Sequence, residues 1–258
     1  MFLVDGSPVG APSGVVRFNS NGTLDRTFGQ GGLAAIPLPQ AAARELLVQP
    51  DNRIVLGADL NFATPANKVG LARFLPNGTL DSTFGKNGLA FINEPGFVTA
   101  LALARDGTID ALITFGILSP VYGVHFSANG VFIEAPPSTD LVAIESNSDM
   151  TFQPDAKIIF SPPVNRDSRG VQNFRFTKFN APEPTFQRPL YSFGFASFFN
   201  VEPITVEPSG GILTAAGNSN VSNVQFGLAR FNPNGSIDTG FGSGGVVQTS
   251  FRSPRAPS

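Results

Sequence analysis

The motif Arg-Phe-Leu-Pro-Asn-Gly-Thr-Leu-Asp, at residues 73–81, decides the fold because the chain repeats it. Close copies read Arg-Phe-Asn-Ser-Asn-Gly-Thr-Leu-Asp at 17–25 and Arg-Phe-Asn-Pro-Asn-Gly-Ser-Ile-Asp at 230–238. Degenerate copies begin at His125 and Lys178, and the phenylalanine after each basic residue falls at 18, 74, 126, 179 and 231. These steps of 52 to 56 residues indicate stacked or radially arranged copies of one supersecondary unit.

Each repeat has the pattern of four short strands. In the second repeat, apolar runs at 45–49 and 54–58 flank a Pro-Asp-Asn-Arg turn, and further runs lie at 70–74 and 89–92. Asn-Gly between apolar runs is a strong hairpin signal because both residues tolerate positive φ. No useful length of the chain has the 3.6-residue period of a helix. Four strands in about 50 residues are typical of a propeller blade, so we predict an all-β, five-bladed β-propeller with four-stranded blades.

The repeats also predict the domain organisation. We expect one propeller domain over residues 1–251, in units near 1–38, 39–93, 94–140, 141–197 and 198–251, followed by a flexible tail at 252–258. Counting back from Phe18 places the first turn of the first repeat before Met1, so we predict that the first blade lacks its inner strand. Three explanations stay open: a three-stranded blade, a piece of a longer array, or a strand supplied by a second molecule.

Composition narrows the classes of function. Charged residues make up 14% of the chain and the net charge is −2, which argues against a nucleic-acid partner. The chain has no cysteine and hence no disulfide or thiolate site. It has no apolar run of 18 residues, so we expect no membrane-spanning helix. The sequence that follows Met1 does not read as a signal peptide.

Two segments resemble a known repeat family. Residues 228–245 and 71–88 are similar to the delta-60 repeat, and Val-Gln-Pro-Asp at 48–51 matches the first-turn pattern of that family. The resemblance implies a β-propeller from large bacterial, exported proteins, and therefore a secreted or cell-surface location. It implies a binding or scaffold role and carries no catalytic residues that transfer to this chain.

An arginine and an aspartate recur eight residues apart. The three pairs are Arg17 with Asp25, Arg73 with Asp81 and Arg230 with Asp238. In the degenerate repeats the basic residue is His125 or Lys178, and the eighth position is Ile133 or Phe186. Because arginine and aspartate are kept or lost together, we interpret them as a structural ion pair whose geometry suits the planar guanidinium. A ligand-binding or ion-binding role is the alternative.

The repeats diverge most between residues 115 and 200, where we place the candidate binding surface. Its candidate residues are Tyr122, His125, Tyr191 and Phe193. His125 stands in the column of the arginines, so a degenerate arginine position fits it better than a general base. Tyr191 and Phe193 belong to an aromatic run that is either strand core or a platform for a protein or a sugar. We predict no catalytic, cofactor or metal residues, since one aspartate per loop is too few for calcium.

These observations favour a non-enzymatic binding or scaffold module with an unidentified protein or carbohydrate ligand. The alternative is an extracellular hydrolase or lyase that acts on glycan or lactone-like substrates through carboxylates converging in a central funnel. A third hypothesis is self-association through an open blade edge. No cofactor and no nucleic-acid partner are expected.

Overall fold

The protein consists of strands and turns. The computed structural model describes residues 2–4, 13–38, 41–60, 68–92, 96–114, 121–134, 149–153, 157–161, 174–176, 185–187, 200–220 and 223–251. No helix occurs in these ranges, which confirms the predicted all-β class. The chain divides into two compact units, Met1–Ser138 and Thr139–Ser258, which are described separately.

The first unit contains three antiparallel sheets. The first sheet is formed by β1 (Phe2–Val4), β2 (Gly14–Val16) and β3 (Leu33–Ala35). The second is formed by β4 (Ala42–Val48), β5 (Ile54–Leu60), β6 (Lys68–Phe74) and β7 (Leu89–Phe91). The third is formed by β8 (Phe97–Leu103), β9 (Ile109–Thr114), β10 (Val121–Phe126) and β11 (Phe132–Glu134). Each strand pairs with the next along the chain.

The second unit contains two antiparallel sheets of the same kind. The fourth sheet is formed by β12 (Asp149–Phe152), β13 (Ile158–Ser161) and β14 (Phe174–Phe176). The fifth is formed by β15 (Asn200–Val206), β16 (Ile212–Asn220), β17 (Asn223–Phe231) and β18 (Val246–Phe251). Within the described residues, the first and fourth sheets therefore have three strands each, where the sequence predicts three for the first and four for the fourth.

The apolar core lies between consecutive sheets within each unit. Phe28 of the first repeat packs in one cluster with Ile54 and Phe74 of the second, and all three are at most 1% exposed. A second cluster joins Phe84 to Ile109 and to other apolar residues of the third sheet. The middle strand β9 is buried along its whole length because both of its faces are covered.

Strand register corrects the alignment of the fourth repeat. Phe74 pairs with Ile54 in the second sheet, and Phe126 and Phe231 have equivalent partners in the third and fifth. In the fourth sheet the residue at this position is Phe176, which pairs with Ile158, and not Phe179. The motif of the fourth repeat therefore begins at Arg175 rather than Lys178. Cross-strand pairing sets the register of a strand, whereas sequence similarity alone had favoured Lys178.

Candidate functional site

The two ends of each sheet differ in their connections. In the second sheet, one end carries two turns whose sequence recurs, the first at 49–53 and the second after Phe74. The opposite end carries the connections of variable sequence that follow β5 and β7. We call the first the turn end and the second the loop end. The repeated ion pairs lie at the turn end, and a separate polar cluster lies at the loop end.

Arg73 and Asp81 form a buried ion pair at the turn end. Arg73 Nε donates to Asp81 Oδ2 at 2.8 Å, and both side chains are at most 6% exposed. Asp81 Oδ1 accepts from the backbone N–H and the hydroxyl of Thr83, at 3.1 and 2.6 Å. The guanidinium carbon lies 4.4 Å from the ring centroid of Phe84, so the cation also stacks on an aromatic face.

The same geometry occurs in the first and fifth repeats. Arg17 Nε donates to Asp25 Oδ2, and Arg230 Nε donates to Asp238 Oδ2, each at 2.8 Å. The stacked rings are Phe28 and Phe241, at 4.4 and 4.7 Å from the guanidinium carbons. The structure thus brings together all three pairs that the eight-residue spacing singles out.

The arginine of one repeat also binds the next repeat. Arg17 Nη1 donates to the carbonyl of Pro76 at 2.5 Å, and Arg73 Nη1 donates to the carbonyl of Ala128 at 2.5 Å. Both carbonyls belong to the Asn-Gly turn of the following repeat. The guanidinium therefore links an aspartate, a phenylalanine and a neighbouring turn, and we call this arrangement the repeat clamp.

Backbone contacts complete the repeat clamp. The N–H of Gly29 donates to the carbonyl of Asn77 at 2.8 Å, and the N–H of Gly85 makes the equivalent bond to Asn129 at 2.7 Å. The turn glycine lies directly on the phenylalanine: a Cβ on Gly78 would be 2.9 Å from Phe28 Cε2. Glycine is required there because any side chain would collide with the preceding repeat.

The fourth repeat retains part of the clamp. Phe186 is 3% exposed, and a Cβ on Gly235 would be 2.6 Å from its Cζ. The N–H of Gln187 donates to the carbonyl of Asn234 at 2.8 Å. Phe186 is therefore the equivalent of Phe28 and Phe84, and its placement in the aspartate column was wrong. Eight residues after Arg175 the sequence has Glu183, which lies outside the described residues.

The third repeat replaces the pair by a different one. His125 Nδ1 lies 2.6 Å from Asp110 Oδ1, the residue directly across from it on β9. The cross-strand neighbours of Arg73 and Arg230 are instead Val55 and Leu213. At the eighth position, Ile133 is 56% exposed. In the third repeat, the carboxylate that pairs with the basic residue therefore comes from the neighbouring strand β9 and not from the turn.

Electrostatics separate the two kinds of aspartate. Burial alone would raise the pKa of Asp81, but the hydrogen bonds from Thr83 and the charge of Arg73 outweigh it and lower that pKa. Hydrogen bonds from Thr27, aided by Arg17, likewise lower the pKa of Asp25. In contrast, burial raises the pKa of Asp110, although its hydrogen bond to His125 and the charge of that residue act in the opposite direction.

The remaining candidate surface residues are less informative. Tyr122 lies on β10 opposite Ile113, and its side chain is outside the described residues. Tyr191 and Phe193 also lie outside them. Of the four candidates, the structure therefore places the side chain of His125 alone, and it places it against Asp110.

Sequence reasoning missed the cluster at the loop end. Arg44 Nε donates to Asp59 Oδ2 at 2.7 Å, and its guanidinium carbon lies 5.4 Å from the ring centroid of Phe97. Asp59 is fully buried, whereas the side chain of Arg44 is 38% exposed. Arg44 is the extra residue of a β-bulge, because the register moves from Ala43 to Glu45 across one partner step. A bulge re-aims its side chain, and no sequence signal marked it.

A buried glutamine was also missed. Gln153 Nε2 donates to the carbonyls of Gly210 and Pro233, each at 3.0 Å, and so joins the fourth sheet to two turns of the fifth. The Gln-Pro-Asp sequence at 49–51 and 153–155 is the signal that could have found it.

In the described ranges, no three His, Cys, Asp or Glu side chains come together as a metal ion would need. No helix there is long and apolar enough to cross a membrane.

Comparison with known proteins gives the class. Residues 12–28, 49–84 and 209–241 match a family described as a domain of unknown function (DUF5122) beta-propeller. Each matched segment contains one of the three complete Arg–Asp pairs. These three segments are therefore similar to the repeats of a β-propeller family of unknown function. No curated protein sequence matches it.

Solved structures show the same fold at low sequence identity. A protein of unknown function from Bacteroides caccae is 10% identical, with a TM-score of 0.55 over 95% of this chain and 85% of that one. A protein of unknown function from Dyadobacter fermentans is 11% identical, with a TM-score of 0.53 over 91% and 72%. A luciferin-regenerating enzyme is 9% identical, with a TM-score of 0.51 over 83% and 69%. At these identities the likeness concerns the fold alone.

Proposed function

We propose that this chain is a non-enzymatic binding or scaffold β-propeller of an exported bacterial protein. Its five sheets act as five blades built from delta-60 repeats, and its partner is a protein or a glycan. The partner binds at the loop end of the sheets.

The observation that carries the proposal is the difference between the two ends. At the turn end, the guanidinium groups of Arg17 and Arg73 each bind an aspartate and a backbone carbonyl of the next repeat, and each stacks on a phenylalanine ring. These contacts stabilise the fold. At the loop end, no other pair among the described residues corresponds to Arg44 and Asp59. In the third and fifth sheets the positions equivalent to Asp59 are Thr114 and Gly217, so the fold does not require a carboxylate there.

The loop-end cluster has the properties of a recognition site. The buried carboxylate of Asp59 and the ring of Phe97 fix the Arg44 guanidinium, yet more than a third of the Arg44 side chain faces solvent. A guanidinium held in one orientation offers planar donors to a carboxylate, a backbone carbonyl or sugar hydroxyls, with little further loss of side-chain entropy. Variable connections follow on both sides of this cluster and supply specificity.

The test compares two arginines of the same sheet. Arg53 is also 38% exposed and also paired with an aspartate, Asp51, but it lies at the turn end. We expect wild type to bind members of a glycan or peptide array, Arg44→Ala to weaken that binding at least tenfold, and Arg53→Ala to leave it unchanged. Equal binding by all three proteins would place the site elsewhere, and an absence of any ligand would contradict the binding role.

The enzymatic alternative requires carboxyl groups that are available to a substrate. The buried carboxyl groups of Asp59, Asp81 and Asp110 are each paired with an arginine or with His125. These ion pairs occupy the carboxylate oxygens that a general acid or base would present to a substrate, so they favour a structural role for the three aspartates. Turnover of a glycoside or lactone by wild type that disappears in Asp59→Asn would favour the enzyme instead.

A further inference from the structure

The chain contains five Asn-Gly steps, and asparagine loses its side-chain amide most readily when glycine follows it. The reaction begins when the backbone nitrogen of the glycine attacks the side-chain carbonyl carbon of the asparagine, and glycine has no Cβ to hinder this approach. All five asparagines are exposed to solvent: Asn21, Asn77, Asn87, Asn129 and Asn234. Exposure therefore does not distinguish them, but their hydrogen bonds do.

Three of the asparagine amides are held by two hydrogen bonds each. Asn77 Oδ1 accepts from the backbone N–H and from the hydroxyl of Thr79, at 3.0 and 2.8 Å. The same two bonds join Thr23 to Asn21 and Ser236 to Asn234, at 2.7–3.1 Å. In the first, second and fifth repeats, a hydroxyl two residues after the asparagine therefore fixes the orientation of its amide.

The turn of the third repeat lacks both bonds. The residue two positions after Asn129 is Val131, which has no hydroxyl. The N–H of Val131 donates to Ser127 Oγ at 3.1 Å and not to Asn129. Among the described residues, the side-chain amide of Asn129 has no hydrogen-bond partner. The orientation of this amide is therefore not fixed within the turn.

Asn87 lies in a different turn and also lacks both bonds. Asn87 and Gly88 have φ of 55° and 91°, as in the type I′ hairpin turn that favours Asn-Gly. The residue two positions after Asn87 is Leu89, which has no hydroxyl. At this position the first and fifth repeats have glycine, Gly31 and Gly244, so the second repeat is the one of these three with a side-chain amide here.

We propose that Asn129 and Asn87 are sites of spontaneous deamidation, and that the hydroxyl two residues after the asparagine protects the other three. Attack requires the amide to turn onto the glycine nitrogen, which in the protected turns breaks the hydrogen bonds to Oδ1. The glycine nitrogen then bonds to the side-chain carbonyl carbon and gives up its proton, and ammonia leaves a five-membered succinimide ring. Water opens the ring at either carbonyl, which gives aspartate or isoaspartate.

At Asn129 the reaction acts on the contact between the second and third repeats. The carbonyl of Asn129 accepts from the N–H of Gly85 at 2.7 Å, and a Cβ on Gly130 would lie 2.8 Å from Phe84 Cδ2. An isoaspartate carries the main chain through the former side chain and lengthens it by one carbon atom. This added length displaces Gly130 where it packs on Phe84, so we expect the reaction to weaken the repeat clamp.

The first experiment needs no substitution. Folded wild type is kept in mildly alkaline buffer, and peptide mapping by mass spectrometry follows deamidation at each Asn-Gly step. A sample unfolded in guanidinium chloride is the reference, in which all five steps are expected to react at similar rates. In the folded protein, Asn87 and Asn129 are expected to react at least fivefold faster than the other three, a factor equal to about 1 kcal/mol, roughly the net worth of one hydrogen bond. Equal rates at all five steps of the folded protein would overturn the proposal.

The second experiment exchanges the hydroxyl between two repeats. Val131→Thr supplies the hydroxyl that the third repeat lacks and is expected to slow deamidation of Asn129 at least fivefold. Thr79→Val removes the hydroxyl of the second repeat and is expected to speed deamidation of Asn77 at least fivefold. The matched controls are Thr79→Ser, which keeps a hydroxyl as Ser236 does, and Val131→Ala, which adds none, and both should react like wild type. An unchanged rate in either exchanged variant would refute protection by the hydroxyl.

The third experiment measures the effect on the repeat clamp. Asn87→Gly has the glycine of the first and fifth repeats and removes the second reactive site. Incubation should lower the midpoint of its thermal unfolding. The same incubation should not affect the double variant Asn87→Gly/Asn129→Gln, because the longer glutamine side chain forms the corresponding ring far more slowly. The same change in both variants, or none in either, would contradict an effect of Asn129 on the clamp.

Discussion

At the residue scale, the chemistry of arginine explains why the motif keeps it. Arg73 uses Nε for Asp81, Nη1 for the carbonyl of Ala128 and the guanidinium face for Phe84. A lysine ammonium has no planar face and cannot fix two acceptors in a set geometry, so it does not replace these contacts. The eight-residue spacing from arginine to aspartate is the length of chain between the third strand and the turn that returns to it.

The buried pair of the second repeat should be strongly coupled. We expect Arg73→Ala or Asp81→Ala to lower the free energy of unfolding by about 3–5 kcal/mol, because each removes the hydrogen-bonded partner of a buried charge. Arg53 Nε also lies 3.3 Å from Asp81 Oδ2 but is not a substitute for the Arg73 hydrogen bond. The double variant should cost less than the sum, with a coupling energy of about 0.5–3 kcal/mol in urea unfolding. Arg230 and Asp238 have the same contact at 30% and 27% exposure, and their coupling should be about 1 kcal/mol or less. Additive effects at Arg73 and Asp81 would exclude the structural pair.

Two aspartates should give stability a pH dependence of opposite sign. The pKa of Asp81 is lowered in the fold, so its contribution is present above the unfolded value of about 3.9 and is lost as the pH falls toward the folded pKa. The pKa of Asp110 is raised by burial, so its ionisation destabilises the fold as the pH rises from about 3.9 through the raised pKa. His125, and Asp106 more weakly, are the charged neighbours that act on it.

The measurement is the unfolding free energy of wild type against Asp81→Asn and Asp110→Asn between pH 3 and pH 7. The advantage of wild type over Asp81→Asn should grow with pH below about 3.9. Relative to Asp110→Asn, wild type should lose stability with rising pH above about 3.9. If the stability difference from wild type changed with pH in the same direction for both variants, the raised pKa of Asp110 would be contradicted.

At the scale of the element, the Asn-Gly turn has two functions. In the second repeat it closes the tight turn that follows the third strand and pairs Phe74 with Leu80, and its glycine Gly78 lies on Phe28 of the preceding repeat. The tight turn could be predicted from the sequence because Asn-Gly is a local signal. The packing function could not, because it depends on which sheet lies next to the turn.

Two glycines at equivalent turn positions separate these functions. Gly22→Ala and Gly78→Ala both place an L-residue at φ above 80°, which costs about 1–2 kcal/mol. Gly78→Ala should cost about 1–3 kcal/mol more, because its Cβ would lie 2.5 Å from the backbone nitrogen of Gly29, whereas Gly22 is in open space. Thermal unfolding at low protein concentration measures the difference. Equal costs would mean that the turn does not hold the neighbouring sheet.

The fourth repeat shows why an element can be misaligned from sequence. Lys178 and Phe179 resemble the motif more closely in spacing than Arg175 and Phe176 do, yet cross-strand pairing selects the latter. The spacing from motif to motif is therefore 50 residues before Phe176 and 55 after it, because insertions in the connections shift the count without shifting the strands. With this alignment, the fourth repeat has an acidic residue, Glu183, at the position that aspartate occupies in the first, second and fifth repeats.

At the scale of the whole molecule, residues at equivalent positions of the repeats differ in burial. Phe28 is fully buried beneath the second repeat, whereas the ring of Phe241, which stacks on Arg230, is half-buried. Phe28→Ala should cost about 3–5 kcal/mol. Phe241→Ala should cost less, because truncating a half-buried ring exposes less apolar surface to water than truncating a fully buried one. Urea unfolding of both variants measures the difference, and equal costs would contradict it.

The sequence by itself determined the all-β class, the repeat and the positions of most turns, because these depend on local patterns of apolar residues, glycine and proline. It also selected Arg17, Arg73 and Arg230 with their aspartates, since internal repetition shows which residues vary together. Only the tertiary structure decided that the arginines reach into the next repeat, that Phe176 is the fourth motif phenylalanine, and that Arg44 lies between Asp59 and Phe97. Each of these depends on contacts between distant segments, which no local pattern encodes.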